Sequence, residues 1–171
     1  NTGYPLLNGQ DITINEPLCN LSYTYIDEVY EICANSFEIL RTWKVRNRCE
    51  GLTESNPRTH TQIIEILDTE SPVMHECEEL VILDASPYEC EAGGFLPIPM
   101  NIEDACSDVS FKAEIFGNGF LSVTGSIAGG DLKVAVSKLD KNSNTFVRYI
   151  VTDVCGNRKV CEFHIEVEDN S

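Results

Sequence analysis

Trp43-Lys44-Val45-Arg46-Asn47-Arg48-Cys49 returns, with other residues in the same spacing, as Tyr149-Ile150-Val151-Thr152-Asp153-Val154-Cys155. Each copy places an aromatic residue six positions before a cysteine, and a turn and a long strand-like run follow. Those runs end at Asp68-Thr69-Glu70-Ser71-Pro72 and Glu168-Asp169-Asn170-Ser171, so the copies close 100 residues apart, at Ser71 and Ser171. Upstream, Ile14-Asn15-Glu16-Pro17-Leu18-Cys19 matches Asn101-Ile102-Glu103-Asp104-Ala105-Cys106. Self-similarity at a fixed period marks a repeated structural unit, and ~100 residues is the size of one β-sandwich. The chain therefore reads as two homologous units, 1–71 and 72–171. The first is short at its start: 18 residues precede Cys19, against 34 (72 to 105) before Cys106 within its unit. About one strand of unit 1 is thus expected to be missing. Either a neighbouring copy completes it, giving a head-to-tail polymer, or a fragment boundary cut the strand off.

Period and punctuation give the fold class. Segments 22–26, 37–45, 62–67, 111–116, 132–136, 146–151 and 161–167 are rich in aromatic and β-branched residues, and most alternate apolar with polar. That alternation belongs to strands with one buried face. Turn signals separate them: Asn8-Gly9, Gly93-Gly94, Gly117-Asn118-Gly119, Gly129-Gly130-Asp131, Asp140 to Asn144 and Gly156-Asn157. Only 27–34 could pass for a short helical turn. Many short strands at regular turn spacing predict all-β sandwiches rather than βαβ units. Trp43 and Tyr149, at equivalent strand positions, are expected to be core pillars, and His164, between Phe163 and Ile165, is expected to face solvent.

The chain carries 28 acidic and 12 basic residues among 171, a formal charge of −16. Nucleic-acid binding needs clustered Lys and Arg to displace counterions, so that class is excluded. An anionic membrane surface is disfavoured for the same reason. No apolar run approaches the ~20 residues that span a bilayer, so no direct membrane insertion is expected. The opening Asn1-Thr2-Gly3, without Met, suggests a processed protein or a fragment.

Eight cysteines, at 19, 33, 49, 77, 90, 106, 155 and 161, point to disulfides in an oxidising compartment. Zinc would want paired knuckles, whereas the closest pair, Cys155 and Cys161, is separated by five residues, and His60, His75 and His164 are scattered. Cys19 and Cys49 in unit 1 occupy the positions of Cys106 and Cys155 in unit 2, which suggests Cys19–Cys49 and Cys106–Cys155. Cys77 lies in the strand that unit 1 lacks, and the unit 1 equivalent of Cys161 is Thr61. The two are absent together, which suggests Cys77–Cys161. Cys33 and Cys90 remain, either bonding each other across the junction or each serving a neighbouring chain. A Cys155–Cys161 hairpin bridge is the rival scheme, and it would orphan Cys77 and Cys106.

Arg148 to Asn157, followed by Cys161-Glu162-Phe163-His164-Ile165-Glu166-Val167-Glu168-Asp169, resembles the HYR module. That module shows an aromatic-x-x-Thr-Asp-x-x-Gly-Asn turn, then Cys-x-Phe-x-Val-x-Val and an acidic linker. Cys77, Leu96-Pro97-Ile98-Pro99 and Asp104-Ala105-Cys106 match its other landmarks. Unit 1 resembles, through Arg41-Thr42-Trp43 and Cys49, the variant repeated in very large secreted adhesins of Bacteroidota. It departs from that variant at Asn47 and at Cys49-Glu50-Gly51, and its hairpin loop is six residues longer. The resemblance implies tandem immunoglobulin-like sandwiches, extracellular or cell-surface placement and an adhesive or spacer role, with no catalytic residues to carry over.

Site chemistry is sparse. Gly125-Ser126-Ile127-Ala128-Gly129 imitates a nucleophile elbow but falls in a turn rather than between strand and helix. An even, repeat-matched cysteine set argues against a catalytic thiol. No enzyme is therefore expected. Glu76, Glu78 and Glu79 read as solvated. Asn20-Leu21-Ser22 is a glycosylation sequon that matters only in a eukaryotic secretory route. Asp68 and Glu70, with Glu168 and Asp169, recur where one unit ends and the next begins. Oxygen-rich linkers of that kind suit Ca2+, so these four are the candidate calcium ligands, against a plain acidic linker. The expected function is a structural or adhesive repeat of a surface adhesin or filament. Its partners would be neighbouring repeats or identical subunits, with a cell-surface glycan or protein as an outer ligand. The alternative is a carbohydrate- or protein-binding module of a secreted enzyme or receptor, which an exposed aromatic cluster on one sheet face would favour. The aromatics alternate within strands and read as buried.

Overall fold

The computed structural model describes residues 6–7, 10–11, 21–49, 57–87, 91–141 and 144–168. The described residues are strands, turns and loops, with no helix among them. The chain divides into Asn1–Leu67 and Asp68–Ser171, four residues before the 71/72 boundary that the repeat suggests.

In unit 1, β1 (Leu6–Leu7) and β2 (Gln10–Asp11) form a two-stranded ladder; Asn8 and Gly9, the expected turn, lie outside the described residues. β3 (Leu21–Cys33), β4 (Ser36–Asn47) and β5 (Arg58–Ile66) form an antiparallel sheet in that order. The 27–34 segment is therefore strand as far as Cys33, not a helical turn. Each residue from Asp27 to Glu31 faces a β4 partner, from Arg41 to Phe37, and this long-range ladder overrides a locally ambiguous sequence. Ala34 and Asn35 close the hairpin, with Asn35 at φ 59°, a left-handed conformation that Asn tolerates better than most residues. Trp43 is buried between Tyr23 and Tyr25, at ring separations of 5.7 and 5.1 Å. Beside it Arg41 donates two hydrogen bonds to Asp27, at 2.7 and 2.6 Å, and lies 4.1 Å from the Tyr25 ring centre. The Arg41 hydrogen bonds hold the Asp27 carboxyl below its ordinary pKa.

Unit 2 is an immunoglobulin-like β-sandwich. One layer is the four-stranded sheet of β10 (Val109–Phe116), β13 (Thr145–Asp153), β14 (Arg158–Glu168) and β7 (Leu80–Asp84), in that order. β7 runs parallel to β14 and the other pairings are antiparallel. Facing it are β8 (Glu91–Leu96), β12 (Lys133–Asp140) and β11 (Phe120–Thr124), together with the pair β6 (Val73–His75) and β9 (Met100–Glu103). Strict alternation along β13 buries Val147, Tyr149 and Val151 and half-exposes the residues between them. Those three meet Cys161, Phe163 and Ile165 of β14, and Ala92, Leu96, Val134, Val136 and Leu139 of the opposing layer, in one core. Gly93-Gly94 is not a turn: both residues lie within β8. A Cβ on Gly93 would come 3.0 Å from the Val136 carbonyl, where β12 bulges between Val136 and Leu139, so the close backbone approach favours glycine there.

The two sheets can be compared through Trp43 and Tyr149. Trp43 pairs with Tyr25 and His60, and Tyr149 with Ala113 and Cys161. β3, β4 and β5 therefore stand where β10, β13 and β14 stand in unit 2, and the register equivalent of Cys161 is His60, one residue from the expected Thr61. In unit 2 the chain makes β11 and β12 between β10 and β13; in unit 1 the Ala34-Asn35 turn joins the corresponding strands directly.

Candidate functional site

Unit 2 has two poles. At the first, Asp68 accepts Glu70 N–H at 3.1 Å through Oδ1, and its backbone carbonyl accepts the Asn157 side-chain amide at 3.1 Å. Asn157 in turn donates to Asp153 from its backbone and its side chain, at 2.8 and 2.7 Å. Thus the Thr-Asp-x-x-Gly-Asn turn that opens β14 also fastens the incoming chain. Asp104, at the end of β9, caps the next loop by accepting the N–H groups of Cys106 and Ser107, both at 2.9 Å. One ligand atom each from Asp68, Asp104 and Cys106 lie within 4.8 Å of one another. The charge of Asp68, then burial, then Asp104, Glu70 and Asp153, push the Cys106 thiol above its ordinary pKa.

At the other end of β14, Glu168 pairs with Asp84 and its carbonyl accepts Ala85 N–H at 2.8 Å. β14 holds 11 residues, so at ~3.4 Å per residue Glu168 stands roughly 35 Å from the Asn157 that holds Asp68. The structure thus keeps Asp68 and Glu70 together and puts Glu168 at the opposite pole. Asp169 lies outside the described residues. Asp104 joins Asp68 from a strand 36 residues away, and the sequence reading singled it out only as part of a landmark.

The cysteines sort as follows. Cys77 and Cys161 are bonded, with Cα atoms 5.8 Å apart and a separation of 84 positions in sequence, which excludes the rival Cys155–Cys161 bridge. Cys33, Cys49 and Cys155 are also disulfide-bonded. The expected Cys106–Cys155 bridge is not formed: Cys155 is in a disulfide, while Cys106 keeps a titratable thiol directed to the Asp68–Asp104 cluster. Cys19 and Cys90 lie outside the described residues, so Cys19–Cys49 and Cys33–Cys90 do too, as does Asn20 of the sequon.

Catalytic geometry does not assemble around the weak motif. Ser126 accepts Gly129 N–H at 3.0 Å, and Asp131 accepts Ser126 N–H at 3.0 Å; both are turn bonds. His164 is exposed, as its alternation requires. The aromatics are less uniformly buried than the alternation suggested, because Phe95 is 72% and Phe120 66% exposed on the outer side of the β8–β12–β11 sheet. On the outer side of the four-stranded sheet, Phe116 stacks on Phe146 with centroids 4.7 Å apart. Arg148 lies over Phe116 at 4.8 Å and pairs with Glu162. No described helix is long and apolar enough to cross a membrane.

No family model matches the chain, and no curated protein does. Among solved structures it is similar to protocadherin gamma B7 extracellular cadherin domains 1–4, at 13% identity and a TM-score of 0.36. The match takes in 94% of this chain and 44% of that one, so the chain spans less than half of the protocadherin structure.

Proposed function

We propose that the chain is a non-enzymatic, extracellular structural module that carries tension and spacing in a surface adhesin or filament. The observation that carries this reading is the Cys77–Cys161 bond between the two poles. A pull entering at Asp68 reaches Cys77 within nine residues, crosses the disulfide to β14, and leaves at Glu168 seven residues later. The span between Cys77 and Cys161, which contains most of the core, lies off the loaded path, while Met74, Phe163 and Ile165 lie on it. Poles at opposite ends of one strand suit end-to-end repetition, in which each repeat contacts only its neighbours. The disulfides themselves suit an oxidising compartment.

Calcium at the first pole belongs to the same proposal. The convergence of Asp68 and Asp104 supports it, since paired carboxylates are hard oxygen ligands and extracellular modules hold Ca2+ at ~0.1–1 mM. The second reading, a carbohydrate- or protein-binding module, is supported by the exposed Phe95 and Phe120. Small-angle scattering on one copy and on two fused copies tests the spacer. The maximum dimension is expected to grow by at least roughly 35 Å per added copy, the length of β14; a fused pair no longer than a single copy contradicts it. Loss of glycan or protein binding on replacing Phe95 and Phe120 together by serine would favour the second reading.

A further inference from the structure

The turn between β10 and β11 reads Gly117-Asn118-Gly119, and the sequence holds one other Asn-Gly pair, Asn8-Gly9. Packing fixes both halves of the later pair. Gly119 has φ 97°, and a Cβ there would come 2.6 Å from Leu139 Cδ2 and 3.0 Å from the Ser137 carbonyl oxygen. Leu139 is fully buried, so backbone conformation and space both favour glycine at 119. Asn118 ties the turn to the end of β12 and the start of β13. Its side-chain amide donates to the Asp140 carboxylate at 2.5 Å, and its side-chain oxygen accepts the Asp140 N–H at 3.4 Å. The hydroxyl of Thr145, a residue 1% exposed, accepts the Asn118 N–H and donates to the Asn118 side-chain oxygen, both at 3.3 Å. An Asn followed by glycine is chemically labile, because glycine has no Cβ to screen its nitrogen from the Asn side-chain carbon.

We propose that Asn118 is a deamidation site which Asp140 and Thr145 hold shut in the folded chain, and that its conversion to a carboxylate unfastens this end of the unit 2 sandwich. In the reaction the Gly119 nitrogen gives its proton to water and bonds to Asn118 Cγ. The Cγ–Nδ2 bond breaks, and Nδ2 takes up a proton and leaves as ammonia. A five-membered succinimide remains, and water opens it. Cleavage of the new N–Cγ bond restores the backbone with aspartate at 118. Cleavage between the nitrogen and the Asn118 backbone carbonyl carbon leaves the main chain running through Cγ, one methylene longer. No oxidant, metal or enzyme is consumed. Ring closure needs the side chain to rotate toward Gly119, and Asp140 engages both polar atoms of the amide, so closure costs those bonds. A hydrogen bond to a charged acceptor is among the stronger kinds, and its loss holds back the open rotamer roughly tenfold. The product is unfavourable for a separate reason. A carboxylate at 118 has no N–H to give to Asp140 and sets a like charge against it. The site stands independently of the spacer reading.

The whole oxidised chain is incubated at neutral pH, folded or unfolded in guanidinium chloride, and peptide mass mapping follows the replacement of NH2 by OH at each Asn-Gly pair. In the unfolded chain Asn118 and Asn8 are expected to react at similar rates, since neither is then restrained. In the folded wild type Asn118 is expected to react roughly tenfold more slowly, or slower still. Asp140→Ala should recover most of that factor. Circular dichroism checks that it folds, and Thr145→Val, which deletes the hydroxyl but keeps the branched shape, serves if it does not. Asn118→Asp, which carries the product side chain, should lower the urea midpoint of unit 2. An Asn118 that stays intact in the unfolded chain overturns the site. One that reacts equally fast folded and unfolded, or no faster in a folded clamp variant, overturns the clamp. An Asn118→Asp chain that unfolds with the wild type overturns the unfastening.

Discussion

Replacing Cys77 and Cys161 together by alanine removes the link across 84 residues of sequence. Loop-closure entropy for a ring of that size amounts to about 4.5 kcal/mol at 25 °C, lost by the variant because its unfolded chain is no longer restrained. Cys161 is buried in the core beside Phe163 and Tyr149, so its missing sulfur adds a small packing loss. Cys77 is exposed and adds none. For a unit of ~100 residues each kcal/mol moves the melting temperature by about 4–8 °C, so unit 2 should melt roughly 20–35 °C lower. Differential scanning calorimetry of the whole chain reads this directly, with the oxidised wild type as reference and the transition of unit 1 as an internal control. A drop of only a few degrees in unit 2 would refute the reasoning, since the bond would then not be restraining the unfolded chain.

Two further outcomes follow from particular groups. Tyr149 is fully buried and its hydroxyl has no hydrogen-bond partner, so burial pushes its pKa far above the ordinary tyrosine value. The folded state therefore resists deprotonation, and the Tyr149 contribution to stability should be constant below about pH 10 and fall above it. Tyr149→Phe should abolish that fall and raise stability at neutral pH by up to ~1 kcal/mol, both checked by urea titration. At ~10 mM Ca2+ the wild type should gain roughly 1.4–2.7 kcal/mol if the first pole binds in the expected range. Asp104→Ala should remove the gain, and an equal shift in wild type and variant would discard the site.

The fold was legible where local pattern and global pairing agree. The alternation along 146–151 and 161–167 reports the buried face correctly, and the shared spacing of Trp43 and Tyr149 marks the same pillar in both sheets. The Cys77–Cys161 bond was readable because the two residues are absent together from unit 1. Elsewhere the deciding contact was distant in sequence. Asp27 to Glu31 become strand through β4, and Gly93-Gly94 becomes strand through a bulge in β12 that no pattern in the glycines announces. Sequence equivalence could not fix the Cys106–Cys155 pairing, because bonding depends on where the Cβ atoms point. Asp104 joined the Asp68 cluster through the pairing of β6 with β9, a short and irregular ladder with no strong periodicity.

Tension that enters at Asp68 and leaves at Glu168 should bypass the 77–161 span, which holds most of the core of unit 2, and pulling single chains by their two ends measures this. In the oxidised protein no unfolding step should release the 77–161 span. Adding reductant should reveal a gain of at least about 290 Å, the contour of 84 residues at roughly 3.5 Å each. An oxidised chain that already yields that length would contradict the account.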